Sequence, residues 1–242
     1  MKTALSAALI CLAGMAAARA EPSITVSWRD KPPYHYIEDG REQGFLLKRT
    51  RAVFAAAGIA AHFVEEPQKR IWANFEHGAS NYCSISWYRL PAREAFAQFS
   101  HPLHVDPPQA LLIAAEAVPR VRAHATLAAL LADPRMTLGV VDGVSYGADI
   151  DAMIAGSANR IMRRTVSVTV MIRMLAAGRA SYMFVDRDDW RYYSKHDPAP
   201  APAVLYAFPD MPAGMKRYLI CSRDVAPAVM DKLNRAIDAS AP

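Results

Sequence analysis

Tyr82-Cys83-Ser84-Ile85-Ser86-Trp87-Tyr88-Arg89-Leu90-Pro91-Ala92-Arg93-Glu94-Ala95-Phe96-Ala97-Gln98-Phe99-Ser100-His101-Pro102 is the stretch on which the reading of this chain turns. Small, apolar and aromatic residues at its start read as a strand. Pro91 suits the first position of a helix, because its missing N–H is unpaired there in any case. Arg93 then falls in the first helical turn, where free backbone N–H groups and a forked guanidinium together suit a carboxylate. Taken alone, an arginine at such a position is more often a solvated charge than a ligand clamp.

Outward from this stretch the chain alternates strand and helix. Ile24–Trp28 is an apolar strand followed by Pro32-Pro33; Leu46, Thr50, Val53, Phe54 and Ala57 recur at helical spacing and stop at Gly58. Residues 62–64 read as a strand and 70–77 as a helix. Thr126 caps a helix through Leu131, residues 137–141 form a buried strand, and Gly143-Val144-Ser145-Tyr146-Gly147 turns into a helix around Ile150 and Ile154. Residues 168–177 are a helix ended by Gly178, 182–185 a strand and 187–193 a helix. The Pro/Ala-rich residues 198–202 read as a linker. Asp224 and Pro227 open a last helix with Val229, Leu233, Ala236 and Ile237 on one face. Alternation of this kind predicts an α/β protein, its parallel strands covered by helices.

The N-terminus bears on compartment. Met1-Lys2 is a short basic start, 4–17 an apolar run too short to anchor in a bilayer, and Ala18-Arg19-Ala20 a small-x-small cleavage pattern. Residues 1–20 are therefore expected to be a signal peptide, with the mature protein starting at Glu21 in the periplasm. Cys11, inside that run, lacks the preceding small residue that a lipidation site needs. Loss of Lys2 and Arg19, and of no acids, lowers the formal charge from +5 to +3. No basic block or stacking array accompanies it, so no nucleic-acid partner is expected. With 52% apolar residues the remaining length supports one compact unit or two small lobes. Cys83 and Cys221 remain, either as a bridge or as two small buried hydrophobes.

The opening stretch resembles the signature of the family 3 periplasmic solute-binding proteins: a strand and turn at Ser86-Trp87-Tyr88, a helix start at Pro91-Ala92-Arg93, then Phe99-Ser100-His101-Pro102. The resemblance implies two lobes, each a mostly parallel sheet flanked by helices, joined by two hinge crossovers. Residues 21–106 would begin lobe I, 107–207 form lobe II and 208–242 return to lobe I. The crossings would fall near Val105-Asp106-Pro107-Pro108 and near Phe208-Pro209-Asp210. It also implies a monomer without cofactor that captures a small carboxylate-bearing solute, most often a polar amino acid, for an ABC permease in the inner membrane.

The same resemblance places ligand contacts residue by residue. Arg93 would hold the carboxylate with Ser86 and Tyr88 beside it, and Ser145 would donate from the start of a lobe II helix. Asp186, after Gly178-Arg179-Ala180-Ser181-Tyr182-Met183-Phe184-Val185, would take an α-ammonium, although by itself it reads as a helix N-cap. Tyr34 and Trp28 would line the cleft from the first loop, where Lys31 also departs from the amino-acid binders. Trp87 and Arg89 add bulk and charge beside the clamp. The strands of Cys83 and Cys221 would be neighbours in lobe I, which favours a disulfide.

A different class competes. Gly143-Val144-Ser145-Tyr146-Gly147 is literally Gly-x-Ser-x-Gly between a strand and a helix, with Asp186 and His196 following in hydrolase order. No oxyanion segment precedes it, and Asp186 and His196 stand only one helix apart, which weighs against a Ser145-Asp186-His196 triad. A periplasmic dehydratase on the same scaffold is a further alternative, for which no acid/base glutamate is singled out. His101 and His104 lack a third metal ligand nearby.

Overall fold

The computed structural model describes residues 23–197 and 202–240; the expected signal peptide, Cys11 and most of the Pro/Ala linker lie outside them. The first half of the chain runs β1 (Ile24–Trp28), β2 (Tyr36–Glu38), β3 (Arg41–Gln43), α1 (Phe45–Ala57), β4 (Ala61–Glu65), α2 (Gln68–Glu76), β5 (Tyr82–Tyr88), α3 (Pro91–Glu94) and β6 (Ala97–Val105). It continues with β7 (Ala110–Ala114), α4 (Val118–Arg122), α5 (Leu127–Leu131), β8 (Thr137–Val141), α6 (Ala148–Ala155), β9 (Arg160–Arg164), α7 (Val168–Ala176), β10 (Tyr182–Val185), α8 (Arg187–His196), β11 (Ala203–Tyr206), β12 (Lys216–Ser222) and α9 (Pro227–Ala239).

Two five-stranded sheets result, in the orders β4-β1-β5-β12-β6 and β11-β7-β10-β8-β9. Each is mixed: β1 pairs in parallel with β4 and β5, and β8 with β9 and β10, whereas β12 and β7 each run antiparallel to both neighbours. The antiparallel strands sit where the chain changes lobe. It leaves the first sheet after β6, builds the whole second sheet, and returns as β12 into the middle of the first.

Central strands are covered on both faces, so their sequences read as continuous rather than alternating burial. All seven residues of β5 and all five of β7 are buried. Helix ends follow local chemistry. Gly58 closes α1 in the left-handed region at φ 68°, and the Thr126 Oγ1 accepts from the Ala129 N–H at the start of α5. On α9 the buried residues are Met230, Leu233 and Ile237, with Val229 and Ala236 partly covered beside them. Strand β6 runs through His101-Pro102, and Pro102 is tolerated because β6 is an edge strand and its pairing with β12 is irregular there.

Strand β5 carries one more residue than β12 between the pairs Tyr218↔Trp87 and Ile220↔Ser84. Ser86 takes up the extra residue at φ 69°, a β-bulge in the left-handed region. The bulge resets which face Trp87 and Tyr88 present, and it does so at the edge of the cleft. Further along the same ladder Cys221 stands directly opposite Cys83, and the two are joined by a disulfide 138 residues apart in sequence.

Residues 106–109 and 207–215 make the crossovers, and they touch. The Asp106 N–H donates to the Met215 carbonyl at 2.8 Å. A Cβ on Gly214 would lie 1.7 Å from the Asp106 carbonyl oxygen, so only glycine permits this approach.

Two outcomes follow for the scaffold. Gly214→Ala must push the crossovers apart and is expected to cost about 1–3 kcal/mol, as overpacking does, read as a lower urea midpoint at unchanged slope; an unchanged midpoint would refute the contact. Reduction of Cys83–Cys221 frees a loop containing all of lobe II, for which chain entropy sets an upper value of about 5 kcal/mol. Calorimetry with and without reductant should show a lower melting temperature. Two alkylated thiols in oxidised protein would disprove the bridge.

Candidate functional site

A cavity of about 690 Å³ lies between the lobes. Lobe I contributes Arg29 and Lys31 just beyond the carboxyl end of β1, Ser86, Trp87 and Tyr88 from β5, Arg93 from α3 and Arg217 from β12. Position at the carboxyl end of a parallel strand is where open α/β sheets place ligands. Lobe II contributes the Gly143–Tyr146 turn, the start of α7, the end of β10, and Asp186 and Asp189 at the start of α8.

Arginine dominates the lobe I wall. Trp87, fixed by its indole N–H donating to Ser84 Oγ at 2.8 Å, has the guanidinium of Arg29 at 4.3 Å and that of Arg93 at 5.2 Å from its ring. Arg93 also lies over Trp72 and donates to the Tyr88 carbonyl at 2.9 Å. Stacking of this kind orients the guanidiniums and leaves part of each fork for an anion. The Arg29 Nη1 is buried with no hydrogen-bond partner. Burial first, then repulsion from Arg217 and Arg93, pulls the Arg29 pKa down to about 9. Burial likewise pulls Arg93 down to about 10. An anion between them would relieve both penalties.

Arg217 is a different kind of arginine. It is 1% exposed and its guanidinium is fully engaged: Nε donates to Asp106 Oδ1 at 2.8 Å, Nη1 to Ser86 Oγ at 3.3 Å, and Nη2 to Tyr88 Oη at 2.7 Å and Asp186 Oδ2 at 3.1 Å. Its carbon lies 4.2 Å from the Tyr34 ring centre and 4.5 Å from that of Tyr88. Burial opposes its charge, but Tyr88, Asp186, Tyr34 and Asp106 outweigh it and hold the pKa well above the ordinary value. The Tyr88 hydroxyl in turn donates to Asp106 Oδ2 at 2.7 Å.

The acidic pair of lobe II meets cations of lobe I. Lys31 Nζ reaches Asp186 Oδ2 at 3.3 Å and the two oxygens of Asp189 at 2.9 and 2.8 Å. Burial works against the charge of Asp186, yet Lys31 and Arg217 hold its carboxyl below the usual range. Asp189 goes the other way: burial, with Asp186 adding to it, pushes it up to about 6 despite Lys31.

Of the residues expected at the site, Arg93, Ser86, Tyr88, Trp87, Ser145 and Asp186 line the cavity, and Trp28 and Tyr34 do not. Trp28 is fully buried in the lobe I core with Ile24, Val26 and Leu46, because β1 turns it inward. Tyr34 is equally buried and serves as the aromatic floor beneath Arg217. Arg89 pairs with Glu94 on the exposed surface. Ser145 Oγ donates to Asp151 Oδ2 at 2.6 Å and accepts from the Gly147 N–H, so it braces the start of α6. Ser145, Asp186 and His196 do not assemble as a triad: Asp186 pairs with Lys31 and Arg217, while His196 stacks on Tyr192. Among the described residues no cluster could hold a metal ion, and no helix is long and apolar enough to cross a membrane.

The expectations from sequence did not include Arg29, Arg217, Asp106 and Asp189. For the two arginines the signal was charge next to an apolar strand, Arg217 beside Tyr218-Leu219-Ile220 and Arg29 directly after Ile24–Trp28, which for a buried charge implies a partner or a function; Asp189, in the charged run 186–189, carried no such signal.

The model for bacterial extracellular solute-binding proteins, family 3, matches residues 24–240. No curated protein matches the chain significantly. Solved structures do. A double mutant of the VFT2 domain of BvgS from Bordetella pertussis superposes with TM-score 0.70 at 14% identity, over 90% of this chain and 88% of that one. The arginine-, lysine-, histidine-binding protein ArtJ from Geobacillus stearothermophilus gives 0.68 at 17%, over 90% and 89%. The ancestral amino acid-binding protein AncCDT-1, a precursor of cyclohexadienyl dehydratase, gives 0.68 at 16%, over 90% and 88%. At these identities the likeness is one of fold. With two mixed sheets, paired crossovers and an interlobe cavity all inside the span that the family model matches, this chain belongs to the bacterial extracellular solute-binding proteins of family 3.

Proposed function

We propose that the protein is a periplasmic receptor that closes its two lobes on a small carboxylate-bearing solute and passes it to an ABC permease. The observation that carries this reading is the pair of guanidiniums, Arg29 and Arg93, flanking Trp87 in the cleft, one with a buried donor that has no protein partner. A carboxylate is the small anion whose two oxygens match such forks. Of the polar amino acid that the family resemblance implies, this wall accounts for the carboxylate half.

The cleft is read as binding without chemistry. Ser145 has the carboxylate of Asp151 as its partner and not the imidazole or amine that activates a serine nucleophile. A serine-directed fluorophosphonate should leave it unlabelled; stoichiometric labelling abolished by Ser145→Ala would make the protein a hydrolase.

For the clamp, Arg29→Ala and Arg93→Ala should each weaken a bound carboxylate by about 2–5 kcal/mol in calorimetry, with the lysine variants recovering little, because a point charge cannot reproduce the fork. Losses under threefold in both would end the clamp reading.

Affinity should also depend on pH through Asp189, which faces Lys31, Asp186, Arg217 and Arg29. Its pKa is raised to about 6, so lowering the pH through that value removes a negative charge from the site. An anionic solute favours the protonated form, so binding takes up a proton and tightens as pH falls through about 6. Asp189→Asn should flatten the dependence; wild-type affinity that is flat or falls over that window would refute it.

A further inference from the structure

We propose that the solute is an acid with an apolar body and no amino group, because Lys31 of the chain itself fills the place that a ligand ammonium would take. This deepens the carboxylate reading and rests on it. An amino acid needs an anion opposite the guanidinium wall, and lobe II offers Asp186 and Asp189 at the right end of the cleft. Both are spent. Lys31 Nζ holds Asp189 through both oxygens at 2.9 and 2.8 Å and Asp186 at 3.3 Å, and Arg217 takes Asp186 at 3.1 Å. Lys31 is held there on its other side by the Tyr34 ring, 4.8 Å away. A second ammonium in this spot would meet a like charge, which turns the aspartates from attractants into the seat of a repulsive element.

The other carboxylates of the lining do not replace them. Glu66 accepts from the Tyr82 hydroxyl and from Asn74. Asp30 and Glu65 stand at the solvent-exposed rim, where an ion pair is screened and weak. Ser145 and Ser167 are likewise engaged, the first with Asp151 and Gly147 and the second in capping α7. Besides these groups and Thr169, Tyr146, Tyr192 and Tyr193, lobe II lines the cavity that holds Arg29 and Arg93 with apolar side chains: Val144, Val166, Val168, Ile172 and Met183. Gln109 Oε1, buried and unpaired in the same lining, can accept from a neutral hydroxyl or amide of the solute. A cationic wall facing an apolar one, across about 690 Å³, selects an amphipathic monocarboxylate.

Matched ligands decide this by calorimetry on the mature wild-type protein: 3-phenylpropanoate against L-phenylalanine, 4-methylpentanoate against L-leucine, and neutral 3-phenylpropanamide. The acids should bind at least tenfold more tightly than the amino acids, and the amide at least tenfold more weakly than its acid. Lys31→Met should narrow or reverse the preference by freeing Asp186 and Asp189, whereas Lys31→Arg, which keeps the charge, should retain it. If Lys31→Met does not fold, the wild-type panel and Lys31→Arg still decide. Amino acids binding as tightly as the acids, with the amide still excluded, would overturn this inference and leave the carboxylate reading intact. Equal binding of amide and acid would overturn the carboxylate reading itself, and no binding of any probe at millimolar concentration would overturn both. A preference unchanged by Lys31→Met would remove Lys31 from the role.

Discussion

The structure hangs on the buried guanidinium of Arg217. Taking a charge out of water costs several kcal/mol even after relaxation, so such a group persists only when its donors are met and its charge is balanced. Here that condition draws in four parts of the chain: Asp106 from the first crossover, Ser86 and Tyr88 from β5, Tyr34 from the loop after β1, and Asp186 from lobe II. β12 is the strand by which the chain returns to the first sheet, and Arg217 lies on it beside the crossovers. The bond to Asp186 therefore joins the two lobes beside the crossovers.

The rest of the electrostatics follows from this. Two cations of lobe I, Arg217 and Lys31, pair with Asp106, Asp186 and Asp189, while Arg29 and Arg93 face the cavity with no carboxylate at salt-bridge distance among the described residues. Stacking on Trp87 keeps them in place, at the cost of burial first and then of repulsion from Arg217 and Arg93, which together lower the pKa of Arg29. On the proposed carboxylate reading, such a site is poor in favourable states until an anion arrives, and the anion then gains most from a closed arrangement in which lobe II excludes water from the pair. The bulge at Ser86 is part of the same device, since the extra residue aims Trp87 and Tyr88 at the arginines and puts its own hydroxyl on Arg217.

The sequence by itself determined the elements and the scaffold. Helical spacing from Leu46 to Ala57 with its glycine stop, the Thr126 cap, the apolar β1 and the Tyr82–Pro102 signature are local matters, settled by propensity, capping and side-chain period, and they appear in the structure as α1, α5, β1 and the β5–α3–β6 unit. Arg93 and Asp186 were singled out by the family resemblance and not by local propensity, which reads the one as a solvated charge and the other as a helix N-cap; both line the cavity. What only the tertiary structure decided is which charges are used up. Lys31 and Asp189 are 158 residues apart, and Arg217 and Asp106 are 111 apart. No spacing rule reaches across such distances, because pairing depends on how two sheets are docked and not on helical or strand period. The same holds for Trp28, whose burial was set by which face of β1 meets α1, and for Ser86, whose bulge exists only because β12 pairs against β5 one residue short. Position along the chain identified the charges, and burial together with distance in the fold separated those that hold the protein together from those left to hold a solute.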